Sequence, residues 1–281
     1  MGLGSIKQKL GGNKMVMTNF LQQRRSCRDF QRRILGRDKI EFAKKTIEEI
    51  SNSEEGKGLF FKLFENGKVI YEALQGKAGY AGVMINAPHY IAMGLENDEA
   101  ITKLRAGYSL EKLNSKITSH EVKTCWVTVT QVAPEIKKAI FGEGGEKVAY
   151  VIAMGLPMAQ EIFSPEAVSS RKPLNEYVFS EKLGQKSDVQ ELENLGLLNI
   201  LSSVRFAPSH RNSQPWIFLV NNPKVEIYTF NNREVKRNLV DLGVVMYYFE
   251  AMAKELGVPN KWKVVDFEEV GDYLKVAEIT M

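Results

Sequence analysis

Apolar positions along this chain keep changing rhythm, and each change marks an element. Ala43, Ile47 and Ile50 recur at three- and four-residue spacing, which predicts one face of a helix, and Asp38 followed by Glu41 looks like a capping box at its start. Leu59 to Phe64 and Lys68 to Leu74 flank Asn66-Gly67, a strong short-range hairpin signal, so two paired strands are predicted there. His89 to Leu95 reads as a buried strand. Leu104, Tyr108, Leu113 and Ile117 predict a long helix. Thr124 to Thr130 and Val148 to Gly155 read as strands, with a short helix at Glu135 to Phe141 between them.

Residues 156–187 carry Pro157, Pro165 and Pro173 and no clear period, so a seam is expected there. A helix then starts after Ser187 or Asp188, with Val189, Leu192, Leu195, Leu198, Leu201 and Val204 on one face. Ile217 to Val220 and Lys224 to Phe230 flank Asn222-Pro223 as a second hairpin. Leu239, Leu242, Met246, Phe249, Ala253 and Leu256 mark a second long helix, and strands near Val264 and Tyr273 to Ile279 close the chain. Helix, hairpin, long helix and strands thus occur twice, which predicts an internal repeat. The hairpins align without a gap, Leu59 to Val69 over Pro215 to Val225. The organisation expected is a loose Gly- and Lys-rich leader at 1–14, a first half at 15–180 and a shorter second half at 181–281.

Composition narrows the classes. The 281 residues are 44% hydrophobic and 26% charged, an ordinary balance for a soluble globular protein. No apolar run approaches the roughly 18–20 residues needed to cross a bilayer, and Ile6 stands where a myristoylation signal wants Ser or Thr, so a cytoplasmic protein without membrane attachment is expected. Cys27 and Cys125 are too few for a disulfide framework, and they read as small packing residues. His89, His120 and His210 offer no metal-ligand spacing. A net charge of +4 suits a small anion as well as a polymer.

Two polar segments carry candidate chemistry. Arg24, Arg25, Ser26 and Arg28 put guanidinium forks and a hydroxyl within five residues, a set suited to a phosphate dianion. The alternatives are a solvated basic face, extended by Arg32, Arg33 and Arg37, or a nucleic-acid or membrane patch. Ala207-Pro208-Ser209-His210-Arg211-Asn212-Ser213-Gln214-Pro215-Trp216 joins a helix to a buried strand through a loop with a proline near each end. Such a loop either presents amide and hydroxyl groups at fixed positions or is simply a turn beside a packing Trp.

Together, the segments resemble the flavin-dependent nitroreductase family. That family begins with R-R-S-x-R-x-F, matched at Arg24 to Phe30, and carries A-P-S-x-x-N-x-Q-P-W-x-F, matched at Ala207 to Phe218. Thr124-Cys125-Trp126 is similar to its T-C-W segment. Ile152 to Pro157 followed by Arg171-Lys172-Pro173-Leu174 resembles its closing strand and basic tail. In the family the A-P-S loop follows the arginine segment within one subunit, whereas here it lies in the second copy. The first copy has Gly56-Lys57-Gly58 at the corresponding place. Family members are homodimers with FMN at the interface, so the resemblance implies a dimer fused into one chain, with one composite site kept and its mirror lost.

The resemblance implies an α+β fold of two related halves, each a mainly antiparallel sheet flanked by helices. It implies that Arg24, Arg25 and Ser26 hold the FMN phosphate, with Arg171 or Lys172 from the tail. Arg28 would sit nearer the ribityl chain and pyrimidine edge. Pro208, Ser209 and Asn212 would line the isoalloxazine, with Gln214 supporting their loop, and Thr124, Cys125 and Trp126 would run along the outer edge. The expected activity is hydride transfer from NADH or NADPH through FMN to an electron-poor small molecule such as a nitroaromatic or quinone. No catalytic side chain and no nucleic-acid partner are expected, and fusion implies a monomer. A flavin-binding protein without turnover is the alternative.

Overall fold

The computed structural model describes residues 26–79, 82–159, 170–258 and 260–281. The leader at 1–14, Arg24 and Arg25 lie outside the described residues. The chain divides into two compact units, one within residues 23–166 and one within 167–281.

The first unit runs α1 (Arg37–Ser51), β1 (Leu59–Phe64), α2 (Gly67–Leu74), β2 (His89–Leu95), α3 (Ala100–Thr118), β3 (Lys123–Thr128), α4 (Pro134–Phe141) and β4 (Val148–Gly155). Its sheet has the order β1-β2-β4-β3 with every pair antiparallel. Successive residues of β2 enter opposite cores. Ile91 and Met93 meet Ile40, Ala43 and Ile50 of α1 and Leu110, Leu113 and Ile117 of α3. Tyr90 and Ala92 meet Ile70 and Leu74 of α2 with Phe30 and Phe141. A strand buried on both faces has no polar side to alternate with, so β2 reads as an unbroken apolar run.

Two local expectations are corrected. Gly36 caps α1 with no side-chain bond, and Asp38 lies inside the first turn, where its charge favours the helix N-terminus without closing a capping box. Gly67 to Leu74 is a helix, not the second strand of a hairpin. The strand partner of β1 is β2, in register from Leu59↔Leu95 to Phe64↔Tyr90. Gly67, Ile70 and Leu74 are buried at helical spacing. The Gly67 N–H donates to Pro88 O at 2.8 Å, and a Cβ there would stand 2.3 Å from Ala87 O. Gly67 therefore serves a close backbone approach, not a left-handed turn.

The second unit runs β5 (Val178–Ser180), α5 (Val189–Asn194), α6 (Leu198–Val204), β6 (Trp216–Asn221), β7 (Lys224–Phe230), α7 (Val235–Glu255), β8 (Lys263–Val270) and β9 (Tyr273–Thr280). The sheet order is β5-β6-β7-β9-β8. β5 pairs parallel with β6 and the remaining pairs are antiparallel. The single helix expected over 189–204 is two. Gly196 takes φ +70 and the Leu197 N–H donates to Leu192 O at 2.9 Å, which ends α5 as a glycine C-cap does. Phe249 of α7 stacks on Phe218 of β6, ring centroids 5.9 Å apart, and Trp262 meets the Phe249 edge at 5.0 Å.

The chain is thus α+β, with helices packed on mainly antiparallel sheets. Without β5, the order β6-β7-β9-β8 repeats β1-β2-β4-β3. Among the described residues no helix is long and apolar enough to cross a membrane.

Candidate functional site

In the second unit the chain leaves α6 and enters a loop that is costly to form and heavily tied. Arg211, Asn212 and Gln214 have φ of 50, 57 and 46, a left-handed region that residues other than glycine seldom adopt. Gln214 is buried and holds the shape from inside. Its N–H donates to Ser209 Oγ at 3.0 Å, its Nε2 donates to Asn212 O at 3.1 Å, and its Oε1 accepts the Lys172 N–H at 3.0 Å. Lys172 Nζ donates to Gln214 O at 3.0 Å, and Asn212 Nδ2 donates to Ser170 O and Oγ at 3.1 and 3.0 Å. The basic tail at 170–172 and the loop at 208–214 are one hydrogen-bonded structure. Trp216, fully buried at the start of β6, anchors its end.

Cations gather beside this loop. Arg171 Nη1 donates to Ala207 O at 2.7 Å, and Arg205 Nη2 donates to Arg171 O at 3.3 Å. Burial pulls the Arg171 pKa below its ordinary value; Tyr248 opposes this and the Arg205 charge adds to it. Burial likewise lowers Lys172, against the nearby Glu176. Among the described residues neither arginine has an ion-pair partner, and Arg205 Nε is buried without a hydrogen-bond acceptor. Two like charges drawn partly out of water attract an anion.

In the first unit, Ser26 forms a parallel bridge with Thr124, and the Cys27 N–H donates to Thr124 O at 2.9 Å. The Gln31 N–H reaches Leu156 O at 2.9 Å and the Met158 N–H reaches Asp29 O at 3.0 Å. The segment 26–31 is therefore fixed between β3 and the exit of β4. Thr124 is buried, and its Oγ1 has no partner among the described residues. Trp126 meets Tyr150 edge-on at 5.4 Å. Cys27 and Cys125 pack into the same core, and burial pushes the Cys27 thiol pKa up. Arg28 stands exposed at a cleft of about 840 Å³ that Arg32, Arg33, Met84 and Met158 also line.

Of the residues singled out in the sequence, Ser26, Thr124 and Cys125 meet in the first unit, with Arg28 and Trp126 beside them. Arg171, Lys172, Pro208, Ser209, Asn212 and Gln214 share the second. Sequence reasoning missed Ser170, Arg205 and Asp241. Asp241, 1% exposed on α7, accepts the His210 N–H on both carboxylate oxygens at 3.1 Å, with the Ser213 hydroxyl beside it. One carboxylate inside the apolar run Leu239 to Val245 was the available signal.

A family model described as "Putative TM nitroreductase" matches residues 17–253. Among solved structures, a putative nitroreductase from Thermotoga maritima has a similar fold. It is 18% identical, with 92% of each chain covered and a TM-score of 0.59. A nitroreductase with bound FMN from Bacteroides fragilis is 16% identical over 55% of this chain and 95% of its own, with a TM-score of 0.43. An NADPH:FMN oxidoreductase from Vibrio harveyi complexed with NAD+ is 11% identical over 63% and 82%, at 0.47. No curated protein matches the chain.

Proposed function

The chain belongs to the nitroreductase family described by that model, and from this premise we propose that it is an FMN-dependent oxidoreductase. One FMN is bound per chain, and the halves at 15–180 and 181–281 stand as a fused dimer that is monomeric in solution. The repeated strand order supports the fusion. NADH or NADPH is the electron donor and an electron-poor small molecule, nitroaromatic or quinone-like, the acceptor.

The residues present fit the cofactor. A phosphate dianion answers Arg171 and Arg205, which have no ion-pair partner among the described residues, and the left-handed loop holds polar groups at fixed positions as a flat heterocycle edge requires. Arg24, Arg25 and Ser26 bind the phosphate, with Arg171 or Lys172 completing its charge. Arg28 orients the ribityl chain and pyrimidine edge. Pro208, Ser209 and Asn212 contact the ring, while Thr124, Cys125 and Trp126 border its outer edge. Bound FMN supplies hydride acceptance and donation, so no acid or base side chain is required.

The observation that carries this reading is the zipped pair of basic tail and strained loop, in which Gln214, Lys172 and Ser170 hold Asn212 and Ser209 in place. An absorbance spectrum of the purified protein, followed by anaerobic addition of NADH or NADPH, tests it. Flavin bands that bleach are expected. Bands that persist with both donors leave a flavin-binding protein without turnover, and a protein that neither carries nor takes up FMN contradicts the reading.

A further inference from the structure

The loop at 208–214 rests on a buried charge. Asp241 lies on α7, seven residues into the helix, with both oxygens 3.1 Å from the His210 nitrogen. The Ser213 hydroxyl lies beside it and helps to lower its pKa. These two neighbours bracket Arg211 and Asn212, two of the three residues held left-handed. Each such residue costs about 1–2 kcal/mol and persists only where the surroundings over-determine it. Gln214 and Ser170 tie the loop from one side; Asp241 is the group that fixes its start from the helix.

We propose that Asp241 is a positioning residue whose ionised carboxylate sets the backbone of His210–Ser213 and so aims Asn212 and Ser209 at the ligand. The role in ligand binding rests on the flavin reading of this loop. The role in loop geometry does not.

A carboxylate is a strange choice for this place if stability alone is at stake. An ionised acid away from water is costly, and burial raises the Asp241 pKa from 3.8 to about 7 against the His210 N–H, the Arg237 guanidinium and the Ser213 hydroxyl. The charged group that acts on it is Arg237 of its own helix, while the neighbouring His210 has its own pKa lowered by burial, Arg237 and Arg211, against Glu234. Charge-assisted hydrogen bonds are roughly twice as strong as neutral ones, so ionisation tightens the hold on the loop while it weakens the fold. The two effects of one proton therefore have opposite signs, which a merely structural residue would not show.

The test compares the full chain with Asp241→Asn, nearly isosteric and uncharged, and with His210→Gln to remove the other titrating group. The His210 backbone amide resonance in the parent should shift with a midpoint near 7, persist in doing so in His210→Gln, and stay flat in Asp241→Asn. Riboflavin serves as the binding probe, because it lacks the phosphate that itself titrates near this pH. Its affinity should rise with pH through about 7 in the parent and be about 10-fold weaker at pH 8 in Asp241→Asn. The variant should be no less thermostable than the parent at pH 8. An amide that does not titrate, or a variant with lower stability and unchanged riboflavin affinity, overturns the proposal. If the amide titrates as expected but the parent binds no flavin, the loop role stands and the flavin reading falls.

Discussion

Both units build the same four-stranded order, yet they treat the chain entering the first of those strands in opposite ways. Before β1, the backbone at Glu54–Gly56 closes tightly: Gly56 is buried so near Ile50 that a Cβ would stand 2.1 Å from Ile50 O. Before β6, the chain instead opens into a polar loop with left-handed Arg211, Asn212 and Gln214. In each unit the long helix pins this entrance. Ser109 of α3 donates its hydroxyl to Glu55 O at 2.7 Å, whereas Asp241 of α7 accepts the His210 N–H. A neutral donor suffices to close a turn. The strained second entrance is held by a buried carboxylate instead, a difference that fits the proposal that this entrance serves a ligand.

The comparison breaks most readily at Gly56. Gly56→Ala drives a methyl group into the carbonyl of Ile50, and the first unit should lose about 3 kcal/mol, read as a lower urea midpoint. An unchanged midpoint would mean that the entrance to β1 is not closed as described.

Next in size is the dependence of stability on pH. Because folding raises the Asp241 pKa, the native state holds a proton that the unfolded chain releases, so the Asp241 contribution is fully present below 3.8 and is lost as the pH rises through about 7. Thermal melts from pH 5 to 8 should show that decline in the parent relative to Asp241→Asn, the lowered pKa values of His89 and His210 acting in the opposite direction in both. In Asp241→Asn this component should vanish, while Ser109→Ala should keep it and lower the curve by about 1 kcal/mol throughout. A parent-minus-Asp241→Asn difference that rises over the same range would refute the sign.

The smallest effect is the most specific. Asn212→Ala should weaken FMN and riboflavin alike by about 10-fold, the value of a good hydrogen bond, and lower the melt because the two bonds to Ser170 are lost. Glu55→Ala, at the corresponding place before β1, should leave flavin affinity unchanged. Equal losses from both substitutions would erase the functional distinction between the two entrances.

Much of this was readable in the sequence, and the failures have physical causes. The long helices announced themselves because Leu110, Leu113 and Ile117 in α3 and Leu242, Val245 and Phe249 in α7 bury one continuous stripe. The hairpin β6–β7 was legible from its turn. Its apparent twin at Asn66-Gly67 was not a hairpin, because the glycine there serves contact with Ala87 and Pro88, which are distant in sequence and invisible to local pattern. The same blindness hid the break at Gly196, where the apolar period runs on through a left-handed glycine. At the site, residue types and motif spacing pointed to the loop and the tail, and the structure joins them through Gln214, Lys172 and Ser170. Asp241 escaped because its partner is a backbone N–H, which carries no sequence signature.

The central proposal is that Arg24 and its segment hold the phosphate of the one flavin that each chain binds. Titration of the apoprotein with FMN, alongside Arg24→Ala and with riboflavin as the second ligand, tests it most directly. The account predicts one FMN per chain, an Arg24→Ala loss of about 10- to 150-fold for FMN, and a much smaller loss for riboflavin, which has no phosphate. Two FMN per chain, or an Arg24→Ala variant that binds FMN as the parent does, would contradict it.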